Sequence, residues 1–301
     1  MSRPRLTEEQ AIASHERRNA LTRARMARYR LRAREQRQAE ARAKLDSCKY
    51  IYRPAGQAGE YSALAANPYS GCGHGCLYCY VPQVIHMPRP QFDAGAFPRR
   101  DFLRELTKDA IKYRAAGSSE QVMLSFTTDP YHLGDTELTR QTIETLIDHG
   151  LAFCTLTKGG TRALRDLDLF RSDRDAFATT LTSLDDRFSL KWERNAAVPS
   201  NRLLALKRFH KAGVFTWVSL EPTLDVDASV ELIRQTHSFI DLYKIGRVNY
   251  LPMTKTTDWK DYTERVIEVL AKVGAKAYIK KDLQPFLPAG YDNPLRVPQH
   301  H

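Results

Sequence analysis

No stretch of this 301-residue chain approaches the roughly 20 consecutive apolar residues that a bilayer span needs. Met1 to Gln10 has no apolar core of the kind a secretory leader carries. Cysteines number five, an odd count, and three of them fall within eight residues, which argues against a disulfide framework. Together these absences lead to the expectation of a soluble protein in a reducing, cytoplasmic compartment, with no membrane partner.

Charge is short of even distribution. The net charge is +11, yet residues 1–49 hold 14 Lys/Arg against 6 Asp/Glu, while the remaining residues hold 32 against 29. The basic character therefore belongs to an N-terminal arm: Arg17, Arg18, Arg23, Arg25, Arg28, Arg30, Arg32, Arg34, Arg37 and Arg42. This arm has no Gly, no Pro after Pro4, and many strong helix formers, and Thr7 with Gln10 has the spacing of a capping box. Its arginines fall on every face, and Ala20, Ala24, Ala27 and Leu31 make only a thin apolar stripe. Two readings stay open. The arm is a phosphate-contacting helix that binds nucleic acid through counterion release, without base-reading motifs, or it is a solvated extension lying across the body.

From residue 101 onward, short apolar runs alternate with amphipathic ones. Helices are expected at 101–116, 138–149, 162–170, 200–212, 228–238 and 259–273, and strands at 121–126, 151–157, 176–182, 214–220, 240–246 and 275–280, with a first strand near Ala65–Tyr69. This pattern implies parallel strands with right-handed crossovers in six or seven β/α units. An eight-unit closed barrel would need more chain after residue 280. The division is then an arm at 1–49, a barrel at 50–284, and a Pro-rich tail at 285–301 (Pro285, Pro288, Pro294, Pro298) expected to cover a barrel end; His300 and His301 are assigned no role.

The most informative segment is Cys72-Gly73-His74-Gly75-Cys76-Leu77-Tyr78-Cys79, a C-x3-C-x2-C spacing. Three thiolates on one short loop can bind three irons of a 4Fe–4S cluster and leave the fourth open to a ligand. Gly71, Gly73 and Gly75 allow the backbone to bend each thiolate toward a common centre. A structural zinc would need a fourth ligand; His74 lies between two cysteines, where the spacing strains a tetrahedral site, and Cys48 and Cys154 are distant in sequence.

The motif resembles the cluster loop of the radical S-adenosylmethionine (radical SAM) enzymes, and Asn67 to Val81 is similar to the spore photoproduct lyase-related branch. The resemblance implies a partial (β/α)6 TIM-type barrel, a 4Fe–4S cluster on Cys72, Cys76 and Cys79, S-adenosylmethionine on the open iron, and a flavodoxin- or ferredoxin-type one-electron reductant. Ligands of parallel α/β folds meet the C-terminal ends of the strands. Those ends carry Thr127-Thr128-Asp129-Pro130, Thr157-Lys158, Thr182-Ser183, Ser219-Leu220-Glu221-Pro222 and Lys244 to Asn249. By resemblance, Thr127, Thr128 and Asp129 hold the methionine amino group, Tyr78 lies near the adenine, and Ser183, Glu193 and Lys244 are further cofactor contacts; Lys158 and Glu221 are placed at the rim as catalytic candidates.

The branch's lyase returns a hydrogen atom to its product radical from a cysteine near the end of the second strand. Phe126 stands at that place here, with no cysteine from Gln121 to Tyr131. Cys154 on the third strand is the candidate replacement, against a plain reading as a small buried hydrophobe. Three functions follow as alternatives: a radical SAM enzyme acting on DNA or RNA in repair or modification; one acting on a peptide, protein or small metabolite; and a non-catalytic metal- or nucleic-acid-binding protein.

Overall fold

Strands and helices alternate through the body of the chain, and a computed structural model describes them over residues 8–293. Thr7, the expected helix cap, and Pro294, Pro298, His300 and His301 of the tail lie outside the described residues. Helix α1 (Glu8–Arg42) precedes β1 (Leu64–Ala65), α2 (Phe102–Ala115), β2 (Val122–Leu124), α3 (Glu137–Asp148), β3 (Phe153–Thr157), β4 (Ala176–Thr180), α4 (Asp186–Trp192), α5 (Pro199–Lys211), β5 (Phe215–Thr223), α6 (Val226–Thr236), β6 (Leu242–Arg247), α7 (Trp259–Val273) and β7 (Ala277–Ile279). All seven strands pair in parallel and in chain order, with β1 and β7 at the two edges. The sheet curls into a half-barrel with helices outside, which is the expected partial (β/α)6 arrangement plus a terminal strand.

Small and large residues interlock inside the barrel: Ala65, Ala176 and Ala178 make room for Trp217, packed with Met123, Cys154 and Leu242. Outside, α2 and α3 cover β1–β3, and α5 to α7 cover β4–β7. Helix ends follow local chemistry. Asp258 Oδ1 accepts from the Lys260 and Asp261 amides to start α7, and Gly274, at φ 67°, ends it.

The helix expected at 162–170 forms as a 3-10 helix, Gly160–Leu169. Leu164, Leu167 and Phe170 recur every third residue, so three residues per turn brings all of them to the core. Tyr69–Ser70 leaves the barrel and pairs antiparallel with Phe97–Pro98. The last described residue, Asn293, meets the free edge of β7: it accepts from the Ile279 amide at 2.8 Å and donates to its carbonyl at 2.7 Å. That contact satisfies an edge strand's exposed backbone groups.

The last turns of α1 dock on the C-terminal end of α2. Gln38 lies against Gly117, and Arg42 Nε donates to the Ala116 carbonyl. Because α2 ends where the chain turns into β2, this is the end of the barrel away from the strand C-termini. Upstream, Leu21, Met26, Tyr29 and Leu31 are exposed. No described helix is long and apolar enough to cross a membrane.

Asp109 on α2 fastens the segment after the arm. Its Oδ2 accepts from the Lys49, Tyr50 and Ile51 amides at 2.9, 2.8 and 3.2 Å. Asp109→Ala strands those donors and is expected to cost about 3 kcal/mol. The loss is read as a lower urea midpoint at unchanged slope.

Candidate active site

The cluster loop rises from the end of β1. Gly71 takes φ 82°, and a Cβ there would lie 2.3 Å from the Gly95 carbonyl oxygen, so only glycine permits this approach. Cys72, Cys76 and Cys79 are free thiols lining one cavity. Burial pushes all three up, Cys76 to about 12. Thiolates there need a metal centre to take the proton's place. The His74 and Val81 amides hydrogen-bond the Cys72 and Cys79 sulfurs, and the Lys158 ammonium favours the thiolates of Cys76 and Cys79. Such donors are the outer partners a sulfur-ligated cluster uses. Among the described residues, no three His, Cys, Asp or Glu converge on the position of a single metal ion. Three thiols lining one cavity are a donor set whose soft sulfur chemistry suits an iron–sulfur group.

His74 is used as a clamp. Its Nδ1 lies 3.4 Å from Asp129 Oδ2, and its Nε2 lies 3.1 Å from the Arg162 guanidinium. With both ring nitrogens engaged, it has no free atom for a metal. Asp129 collects further donors: Thr157 Oγ1 and the Tyr131 amide on Oδ1, and the Lys158 amide on Oδ2. Burial pushes this carboxyl up, but His74 and the hydrogen bonds outweigh it and hold it well below the usual range. Asp129 therefore joins the ends of β2 and β3 to the cluster loop, and its oxygens are occupied by the protein itself. Thr127 and Thr128 do line the cavity. Asn67 Oδ1 fixes that turn by accepting from the Phe126 and Thr127 amides, and Thr128 Oγ1 donates to the Gly71 carbonyl at 2.7 Å.

A second buried chain supports the loop from outside. Tyr78 donates to Glu193 Oε1, and Glu193 Oε2 accepts from Ser189 at 2.9 Å and Arg202 at 2.5 Å. Neither side chain of the Glu193–Arg202 pair is exposed. Cys76 forms a β-bridge with Glu193, and the Leu77 amide donates to the Trp192 carbonyl. Burial raises the Glu193 carboxyl, while Arg202 and Lys158 overcome that and lower it.

The cavity, open to solvent and about 190 Å³ in volume, lies at the C-terminal ends of the strands, where ligands of parallel α/β folds bind. Its lining includes Tyr78, Thr127, Thr128, Asp129, Lys158 and Glu221. Lys158 Nζ lies 5.6 Å from the Tyr78 ring centre. Ser183, Glu193, Lys244 and Cys154 are not among the lining residues. Ser183 Oγ accepts from the Asp185 amide in the turn before α4. Lys244 is sealed beneath Tyr61, donating to its carbonyl at 2.6 Å, and burial lowers its ammonium to about 7. Cys154 does point into the barrel, but at its floor, where it accepts from Trp217 Nε1 at 3.2 Å. Leu156, two residues along the same face, takes the position at the cavity.

Sequence reasoning overlooked Tyr61, Thr180 and Lys280 in the lining, and the clamp roles of His74 and Arg202. Thr180 and Lys280 end or directly follow strands, so the strand-end rule could have found them. Tyr61 enters from the segment before β1 and carries no such signal.

The radical SAM superfamily matches the sequence over residues 66–240, more than half of the chain. A spore photoproduct lyase variant with bound AdoMet and dinucleoside spore photoproduct superposes with a TM-score of 0.58 at 14% identity, covering 72% of this chain and 76% of that one. A spore photoproduct lyase complexed with dinucleoside spore photoproduct gives 0.59 at 15% identity, covering 77% and 79%. Streptococcus suis SuiB bound to S-adenosylmethionine gives 0.54 at 12% identity, covering 74% of this chain and 52% of that one. No curated protein matches the sequence. At these identities the likeness to the solved structures is one of fold.

Proposed function

The chain belongs to the radical SAM superfamily and is a radical SAM enzyme with a 4Fe–4S cluster and S-adenosylmethionine as cofactors, and on that premise we propose that Cys72, Cys76 and Cys79 hold the cluster and that the substrate is a nucleic acid. When bound and reduced by one electron, the two cofactors supply a 5′-deoxyadenosyl radical that takes hydrogen from the substrate. The chain's own residues bind and orient. The turn at Thr127 and Thr128, held by Asn67, presents hydroxyl and carbonyl oxygens suited to an ammonium group. Lys158 offers a cation beside Cys76 that suits a carboxylate. Tyr78, fixed by Glu193, offers a ring face at the cysteine loop. A flavodoxin- or ferredoxin-type protein is the proposed electron donor, and the cytoplasm the proposed location.

One observation carries the nucleic-acid reading. Along α1, Arg23, Arg25, Arg28, Arg30, Arg32 and Arg34 are exposed, and among the described residues none of them forms an ion pair. Unpaired guanidiniums on a 35-residue helix suit phosphates. The full-length protein is expected to bind fluorescent oligonucleotides with a steep salt dependence. Changing these six arginines to glutamine should weaken binding and reduce the log–log salt slope by up to about 5, since each phosphate contact contributes about 0.9. Equal binding by both proteins, or none by the wild type, would refute it. A peptide, protein or small-metabolite substrate is favoured by one fact: α1 is anchored at the end of the barrel away from the cavity.

A further inference from the structure

The cavity has two unlike sides. Tyr78, Lys158, Thr127 and Thr128 gather near the cysteines, on the side of β1–β3. Across from them stand Tyr61, Ser219, Glu221, Arg247, Asn249 and Lys280, from β5–β7 and the turn before β1. Nothing in the cluster loop needs this second wall.

Its centre is an ion pair that spans three strands. Glu221 is on β5 and Lys280 follows β7, yet Lys280 Nζ donates to Glu221 Oε2 across the intervening β6. They meet because β6 has Gly246 between them: a Cβ there would lie 2.9 Å from Glu221 Cδ and 2.9 Å from Lys280 Cδ. Tyr61 donates its hydroxyl to the same Oε2, and Ser219 Oγ lies 2.8 Å from that hydroxyl. Both donors use Oε2, so Oε1 has no partner among the described residues. The exposures are ordered likewise: Glu221 is 16% exposed and Lys280 only 2%, so the carboxylate faces the cavity with the ammonium behind it.

As a stabilising device this is poor. A buried ion pair gains little over a packed apolar pair, and a strand-interior glycine weakens its sheet. Local costs concentrated at a cavity wall point to use by a ligand. The remaining inventory narrows the ligand. Phe126 packs edge-to-face on Tyr61 with ring centres 6.1 Å apart, and Tyr80 and Tyr250 are exposed at the rim. Arg247, 4.0 Å from Asp282, has a buried Nε with no hydrogen-bond partner, and Asn249 stands beside it, donating to Asp282.

We propose that this wall is a nucleobase site, in which a base packs on the Tyr61 and Phe126 rings, donates an N–H to Glu221 Oε1 and accepts from Arg247 or Asn249. The Watson–Crick edge of every nucleobase carries a donor beside an acceptor, and bases held outside a helix are read by edge hydrogen bonds and aromatic stacking. The site as built is tolerant of base identity. The assignment rests on the nucleic-acid reading above.

The test uses the reconstituted full-length protein with saturating S-adenosylmethionine, and thymidine, adenosine and 2-deoxyribose 5-phosphate as probes in calorimetry. Both nucleosides should bind and the sugar phosphate should not. Glu221→Gln, which keeps the shape of the wall, should weaken nucleosides roughly 10-fold, as expected for a lost charge-assisted hydrogen bond. Gly246→Ala should do the same by parting the pair, with the cluster's visible spectrum unchanged in both variants. Undiminished nucleoside affinity in Glu221→Gln overturns the proposal. So does competition between nucleoside and S-adenosylmethionine, which would give the wall to the cofactor's own adenosine. Oligonucleotide binding through α1 with no nucleoside binding overturns this site and leaves the broader reading standing; nucleoside binding without oligonucleotide binding does the reverse.

Discussion

Cys72→Ala, Cys76→Ala and Cys79→Ala proteins are each expected to fold and to lose the cluster, with iron falling from about four atoms per chain to near zero after anaerobic reconstitution. Cys48→Ala and Cys154→Ala proteins should keep the wild-type iron and sulfide content. Position separates the two groups of cysteines. The first three thiols line one cavity and receive backbone or cationic support. Cys48 is outside the barrel near Asp109, and Cys154 is on the barrel floor under Trp217. Alanine at position 76 removes a sulfur while the Leu77–Trp192 backbone contact that pins the loop remains. Equal iron loss from the Cys154 variant would place the metal elsewhere.

The largest stability effect is expected at Arg202. Arg202→Met leaves the Glu193 carboxylate buried without its cation, which costs about 3–5 kcal/mol when one partner of a buried pair is removed. The melting temperature should fall by an amount on the order of 10 °C. Glu193→Gln added to Arg202→Met should recover part of the loss, because an uncharged pair pays less desolvation. The single variant should also weaken iron retention by about 10–100-fold, the usual cost of disturbing an outer partner of a metal ligand. Here the route is explicit: Glu193 holds Tyr78 and bridges the Cys76 backbone. Thermal denaturation alongside iron titration separates the two effects, and a variant that melts as the wild type does would remove Glu193–Arg202 from the account.

Local signals carried the barrel well. Gly274 after α7, Gly213 after α5 and the apolar runs at β3 and β4 sit where pattern and turn chemistry agree, so strand order followed from the alternation. The helix at Gly160–Leu169 was legible but its 3-10 winding was not, because Leu164, Leu167 and Phe170 satisfy either a three-residue or a 3.6-residue period over so short a run. The cysteine triplet was legible because its three members lie within eight residues of sequence. Glu193 was picked for the right neighbourhood with a different task, since only the fold shows that Arg202, nine residues on, claims its carboxylate. Lys244 and Lys280 could not be ranked from sequence. Both follow apolar runs, and only the curl of the sheet buries the first beneath Tyr61 and brings the second to Glu221. Tyr61 was invisible for the same reason: its place depends on a segment crossing the mouth between β1 and β7, fixed by Glu60 accepting from Tyr278 and from the Lys281 amide.

The most direct measurement is product analysis of the full-length protein, reconstituted with iron and sulfide under anaerobic conditions and given dithionite and S-adenosylmethionine. The expectation is 5′-deoxyadenosine and methionine in equal amounts from the wild type and none from Cys76→Ala. A wild-type protein that holds a complete four-iron cluster, binds S-adenosylmethionine and yet forms no 5′-deoxyadenosine on reduction, with or without an added oligonucleotide, would contradict it.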